Sequence, residues 1–260
     1  ARATYEGEIM TISKITLAAA LAASALVAAP AFAQDAPASD FTITGNAAGV
    51  SDYRFRGVSL SDKGVAVQGS INLNHSSGFY VGTWGSSLAG FGSFGGSNAE
   101  IDVYGGYTKT IGNVTLDGGV YWYLYPSTDG TDVGEVYASV KGAFGPVTAK
   151  LGANYAPKQE AIGSVNNKDD NLYVYTDLSG GVPNTPVSLR AHLGRSMGDS
   201  TLTFGGDNYW DWNVGADVTW KNLTFGVSYV DTDLKKSVYQ PLGLYKIVKS
   251  GAVFSLTAAF

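Results

Sequence analysis

The feature that most constrains this chain is a period-two alternation of apolar and polar residues, recurring from Phe41 onward in stretches of about ten residues. That period places successive side chains on opposite faces of an extended strand, and about ten residues is the length of a tilted strand crossing a bilayer. In the first stretch Phe41, Ile43, Gly45, Ala47, Gly49, Tyr53 and Phe55 share one parity, and Thr42, Thr44, Asn46, Asp52, Arg54 and Arg56 share the other. In the second, Val65, Val67, Gly69, Ile71 and Leu73 alternate with Ala66, Gln68, Ser70, Asn72 and Asn74. Further runs fall at residues 79–87, 99–110, 114–125, 134–143, 147–156, 171–179, 187–196, 209–220, 223–230 and 247–260. The pattern is weakest at 79–87, where Tyr80 and Trp84 sit opposite Phe79 and Val81. The total is about twelve strands, an even number as in bacterial outer-membrane barrels.

The connections between the runs alternate in length. Short ones fall at 75–78, 111–113, 144–146, 180–186 and 221–222, and long ones at 57–63, 88–98, 126–133, 157–170, 197–208 and 231–246. Outer-membrane barrels have short periplasmic turns and longer outer loops, so both ends of the barrel chain belong on the periplasmic side. A soluble β-sandwich has no reason to keep that alternation. The expected fold is all-β: one transmembrane antiparallel up-and-down β-barrel over residues 41–260.

Composition agrees. Hydrophobic residues make up 45% of the chain, yet past the N-terminal segment no run approaches the ~20 apolar residues of a membrane helix. A barrel wall resolves this, because its apolar residues are spread one in two along many strands. Cysteine is absent, which excludes disulfides and thiolate metal sites. The formal charge of -5 gives no basic face for nucleic acid. Tyr121, Trp122, Tyr123 and Tyr125, with Tyr209, Trp210 and Trp212, lie beside expected outer loops and suit an aromatic girdle at the membrane interface.

Residues 10–33 read as a secretory signal peptide. Met10 to Lys14 is a short positive n-region, Ile15 to Ala29 an apolar h-region, and Ala31-Phe32-Ala33 supplies the small residues of a cleavage site before Gln34. Residues 1–9, acidic and without an initial Met, read as an upstream translated extension, and residues 34–40 as a periplasmic lead-in. At the other end Phe254, Leu256, Ala258 and Phe260 share one parity. Ending on Phe in this way resembles the C-terminal signature that the barrel assembly machinery reads.

The segment Ser51-Asp-Tyr-Arg-Phe-Arg-Gly-Val-Ser59, with Gln68-Gly69, Gly78-Phe-Tyr-Val-Gly-Thr-Trp-Gly85, Glu100-Ile-Asp-Val-Tyr-Gly-Gly-Tyr107 and Glu135-Val-Tyr137, resembles the TorF-type porin family. The resemblance spans the chain after the signal peptide and is densest over 49–140. It implies an outer-membrane barrel acting as a pore, and brings no catalytic or ligand residues with it.

If the apolar parity faces lipid, the other lines the lumen, since ionised groups at membrane depth need a wet or paired interior. That places Arg54, Arg56, Lys141, Lys150, Arg190, His192 and Lys249 inside, with Glu100, Asp102, Asp117, Glu135, Asp177, Asp211 and Asp217. Basic and acidic groups nearly balance, so strong ion selectivity is not expected. Arg54 and Arg56, two apart beside the first outer loop, are expected either to attract anionic solutes or to clamp a loop carboxylate such as Asp62. His75 and His192 are the two histidines, and neither sits in a nucleophile motif, so no enzyme is expected. Neither a cofactor nor a metal site is expected: Asp129 to Asp132 lacks full calcium-loop spacing, and Asn166 to Asp170 reads as a solvated loop.

The function expected is passive diffusion of small hydrophilic solutes through a Gram-negative outer membrane, whose lipid is the main partner. The alternative is a closed, side-chain-filled barrel acting through its outer loops as a receptor, adhesin or structural protein. The sequence carries no signal for an oligomeric state.

Overall fold

A computed structural model describes residues 39–163 and 167–260. The expected signal peptide, the extension expected before it, the expected cleavage point before Gln34 and most of the expected lead-in lie outside the described residues. Along the first half of the chain come β1 (Phe41–Val50), β2 (Arg54–Phe55), β3 (Val58–Ser59), β4 (Ala66–His75), β5 (Phe79–Ser87), β6 (Ala99–Ile111) and β7 (Val114–Leu124). The second half adds β8 (Val133–Phe144), β9 (Val147–Gln159), β10 (Asp169–Gly181), β11 (Val187–Met197), β12 (Asn208–Trp220), β13 (Leu223–Thr232) and β14 (Gly251–Ala259). Among the described residues, twelve of these strands form one closed barrel in which sequence neighbours pair antiparallel and β14 returns to β1. The pair β2–β3 stands apart as a two-stranded hairpin.

Closure satisfies every strand edge, which a sheet in hydrocarbon requires. The outer wall follows the apolar parity. Val67, Ile71, Phe79, Val81, Val120, Val214 and Phe225 each expose more than half their surface, pointing away from the lumen. Near the short turns an aromatic rim includes Phe41 stacked edge-on against His75, and Phe79 against Tyr107. No helix among the described residues is long and apolar enough to cross a membrane.

Two strand boundaries differ from the sequence expectation. The first run ends at Val50 instead of continuing to Arg56, so Tyr53 and Phe55 leave the lipid-facing parity. The chain instead turns inward, and residues 51–65 (loop L1) carry the β2–β3 hairpin. Arg56 and Gly57 form its tip with φ of 46° and 83°, the two left-handed residues of a tight hairpin turn. Gly57 is also held close to its neighbours: a Cβ there would come 2.5 Å from Thr232 Cγ2 and 2.9 Å from Asp211 Cβ. The last run likewise starts later than expected, at Gly251. The segment before it belongs to the final outer loop, residues 233–250 (loop L6), which contains α1 (Lys236–Tyr239) and α2 (Tyr245–Val248).

Buried apolar residues collect inside the outer mouth. One cluster joins Tyr53 and Leu60 of L1 to Leu88, Tyr123, Tyr125, Val133 and Ile162; a second joins Val58 to Tyr239, Ile247 and Val248 of L6. L1 is therefore the packed centre of that end.

The seam between β1 and β14 ends on Phe260. Its N–H and C=O both bond Gly45, at 2.9 and 2.8 Å, and its ring lies over that glycine. A Cβ on Gly45 would sit 2.7 Å from the ring and 2.6 Å from the Ser70 carbonyl. Gly45→Val is expected to displace Phe260 and cost about 1–3 kcal/mol by overpacking. A smaller folded, heat-modifiable fraction on cold gel electrophoresis would show it, and an unchanged fraction would mean the seam tolerates the side chain.

Candidate functional site: the lumen and its folded-in loop

L1 is fixed by polar contacts to strands all around the barrel. Arg56 is the centre of them. Its guanidinium pairs with Glu135 of β8 at 2.6 Å, donates to Asn171 Oδ1 of β10 at 3.0 Å, and lies 4.3 Å over the Tyr173 ring. Tyr209 of β12 donates to the Arg56 carbonyl at 3.0 Å, and Tyr53 donates to Glu100 of β6 at 3.1 Å. Both Arg56 and Glu135 side chains are almost wholly buried, so this is an ion pair sealed from water.

Arg54 acts within the loops. It pairs with Asp52 at 2.6 Å and donates to the carbonyls of Gly57, Ile247 and Lys249. Asp52 also accepts from Ser59 at 2.5 Å. The carboxylate expected as an arginine clamp, Asp62, pairs instead with Lys246 at 2.8 Å. The two arginines thus sit on an inward loop, at its small hairpin, rather than on a strand of the barrel wall. The strand alternation happens to continue through residues 51–56, which conceals the turn.

Beneath L1 lies a cavity of about 770 Å³. Arg54 and Arg56 border it from above, while Glu100, Asp102, Asp117, Lys150, Arg190, His192 and Asp211 border it from the wall. The remaining charges sit elsewhere. Glu135 is hidden behind Arg56 and also accepts from Tyr123 and Asn154. Asp217 holds Arg190 at 2.9 Å, and Asp177 holds His192 Nδ1 at 2.6 Å. Lys141 is exposed near the short-turn end, opposite Lys150 in the register. Lys249 is exposed in L6, outside any strand; its carbonyl, accepting from Arg54 and Lys63, is the part in use. His192 Nε2 lies 2.8 Å from Tyr173 Oη and 3.2 Å from Asp211, and no serine stands among its described partners.

Sequence reasoning missed the tyrosines of this cavity. Tyr121 and Tyr123 face inward with Asp117, while Trp122 between them exposes 54% of its surface to the lipid side. Tyr125 and Tyr209 are also buried, so the expected outer girdle keeps only its tryptophans. The inward rings form a continuous run: Tyr121 stacks near Tyr104 (4.8 Å), Tyr137 (5.3 Å) and Tyr123 (5.6 Å). Tyr80 bonds both Asp117 and Tyr137. The signal was parity: Tyr121 and Tyr123 share that of Asp117, Tyr137 that of Glu135, and Tyr209 that of Asp211.

The residues of the two candidate loops make local contacts. Asp132 accepts from the Tyr125 N–H, Asn167 donates to Asp169, and Lys168 pairs with Glu160; Asn166 lies outside the described residues. Among the described residues no cluster of metal-ligating side chains occurs.

A family model described as "Bacterial protein of unknown function (Gcw_chp)" matches residues 34–260. The chain belongs to the Gcw_chp family. No curated protein matches its sequence. Among solved structures, this Gcw_chp barrel is similar to the NanC porin, with a TM-score of 0.57 and 9% identity over 83% of this chain and 98% of that one. It is also similar to the KdgM porin, with a TM-score of 0.54 and 9% identity over 84% and 98% of the two chains. A KdgM complex with disordered oligogalacturonate gives 0.53 and 8% over the same shares. At such identities the likeness is one of fold: a closed porin-type barrel.

Removing the acid from the buried pair strands a guanidinium and is expected to cost L1 about 3–5 kcal/mol of docking. In Glu135→Ala, trypsin should therefore cut after Arg56 in folded protein, a bond that stays whole in the wild type. Equal resistance would mean that other contacts suffice to hold the loop.

Proposed function

We propose that this Gcw_chp protein is a TorF-type, porin-like channel of the Gram-negative outer membrane, passing small hydrophilic solutes by diffusion past L1. The observation that carries the reading is a closed barrel, apolar outside, around a charged 770 Å³ cavity. Ionised side chains at membrane depth are tolerated where water or a partner meets them, and a wet lumen supplies both. Diffusion needs no cofactor and no energy coupling. The porin fold of its structural neighbours supports a channel over an enzyme.

The reading includes export through the signal at 10–33, with cleavage before Gln34, and assembly through the C-terminal residues ending at Phe260. N-terminal sequencing of membrane-purified protein tests the first part; a start upstream of Gln34 would overturn it.

A second reading, a closed barrel acting through its outer loops, draws on the packing of L1: Val58 is fully buried and the Arg56–Glu135 pair is dry. Single-channel recording in a planar bilayer separates the two. Stable ohmic steps from inserted protein are expected, and silence would favour the closed barrel. Arg54→Gln with Arg56→Gln is expected to shift the reversal potential in a salt gradient toward cations, because two positive charges leave the roof of the cavity. An unchanged potential in a conducting channel would remove both arginines from the ion path.

A further inference from the structure

The charges around the cavity are not evenly matched. On the β10–β12 side Arg190 is paired by Asp217, and His192 by Asp177 and Asp211. On the β5–β7 side Glu100 and Asp102 belong to no ion pair among the described residues, and the guanidinium of Arg56 is committed to Glu135 and Asn171. Glu100 is 1% exposed and Asp102 5% exposed, and both border the cavity. The two side chains hydrogen-bond each other, so they share one proton and the buried pair keeps one negative charge that no cation answers.

Asp102 is the sharper of the two. Its Oδ1 is buried and accepts no hydrogen bond from any described residue. Rings surround it. In the register Asp102 lies directly opposite Trp84 of β5 and Tyr123 of β7, and residues so paired point to the same face. Tyr104 follows two residues along β6 on that face, and Tyr53 of L1 closes the group from above, 5.4 Å from the Trp84 ring and bonded to Glu100. An acidic oxygen among aromatic faces is the arrangement that attracts an organic cation, through charge and through the ring quadrupoles together.

We propose that Glu100 and Asp102, with Tyr53, Trp84, Tyr104 and Tyr123, form a lumenal binding site for small organic cations: amines or quaternary ammonium ions. A hard metal ion is a poorer match, since Ca²⁺ takes about 6–8 oxygen ligands and this wall offers two carboxyl groups and rings. An acidic saccharide would meet like charge. The proposal rests on the channel reading only for passage of the cation, because binding itself does not require an open pore.

Choline is a suitable probe, and Trp84 a local reporter. Trp122, Trp210 and Trp220 are outward on the barrel wall, and Trp212 shares the parity of Trp210. In refolded full-length protein, choline chloride should change the fluorescence saturably, potassium chloride at equal ionic strength should not, and Trp84→Phe should remove the signal. Asp102→Asn together with Glu100→Gln, which leaves no charge on the pair, is expected to weaken choline about tenfold or more, the equivalent of about 1.4 kcal/mol. Tyr104→Leu, which removes a ring and keeps the charge, provides a second test should that variant fold poorly, and Asp129→Asn, on an exposed outer loop, serves as control. Equal responses to potassium, glucose or galacturonate, or full binding by both lumen variants, would overturn the site. Choline binding in a barrel that gives no conductance would uphold the site and sink the channel reading. Conductance without choline binding would do the reverse.

Discussion

Everything in this protein depends on completing one ring of backbone hydrogen bonds. In hydrocarbon no water is at hand for an unpaired N–H or C=O, so a sheet survives there only if its first and last strands meet. That last join is the thinnest part of the ring. β1 pairs with β14 at five positions, against ten with β4, and the bonds between Gly45 and Phe260 carry the pairing one step further. Phe260 is thus a structural component of the wall, seated where a glycine leaves room for it.

Once closed, the ring sorts the side chains by parity, and the inside must accommodate whatever the outside cannot. Charges are handled in two ways. Across β10–β12 they neutralise one another as Arg190 with Asp217 and His192 with its two acids. At the outer mouth a segment of chain is brought in to supply what the wall lacks, with Arg56 answering Glu135 and Tyr53 answering Glu100. The Asp-Tyr-Arg-Phe-Arg-Gly stretch is therefore best understood as an insert whose side chains are complementary to several strands at once. Its glycine permits the reversal that turns Arg56 toward β8 and β10.

The barrel was legible because alternation and connection length are local properties that each strand displays for itself. Twelve strands, their antiparallel order and the outward apolar face all follow from them. L1 was not legible, since Ser51 to Arg56 keeps the strand alternation while its partners lie far along the chain: Glu135, Asn171 and Tyr209 are 79, 115 and 153 positions from Arg56. Lys249 was assigned to a strand because the run before β14 is apolar, and Ile247 and Val248 spend that apolarity on Val58 instead. The inward tyrosines were obscured by chemistry. A ring with an apolar body and a polar tip suits a membrane interface and a wet lumen equally, and only parity with neighbouring acids distinguishes the two.

The reach of Arg56 also imposes an order of events. Its partners all lie in the second half of the chain, on strands that come together only as the cylinder forms. Contacts of such long sequence separation are made late, after the entropy of closing the intervening loops has been spent. L1 can dock only once β8, β10 and β12, with β9 and β11 between them, have taken their places in the wall. Docking it is a final act of maturation, when a freshly closed cylinder exchanges the water in its mouth for a part of itself.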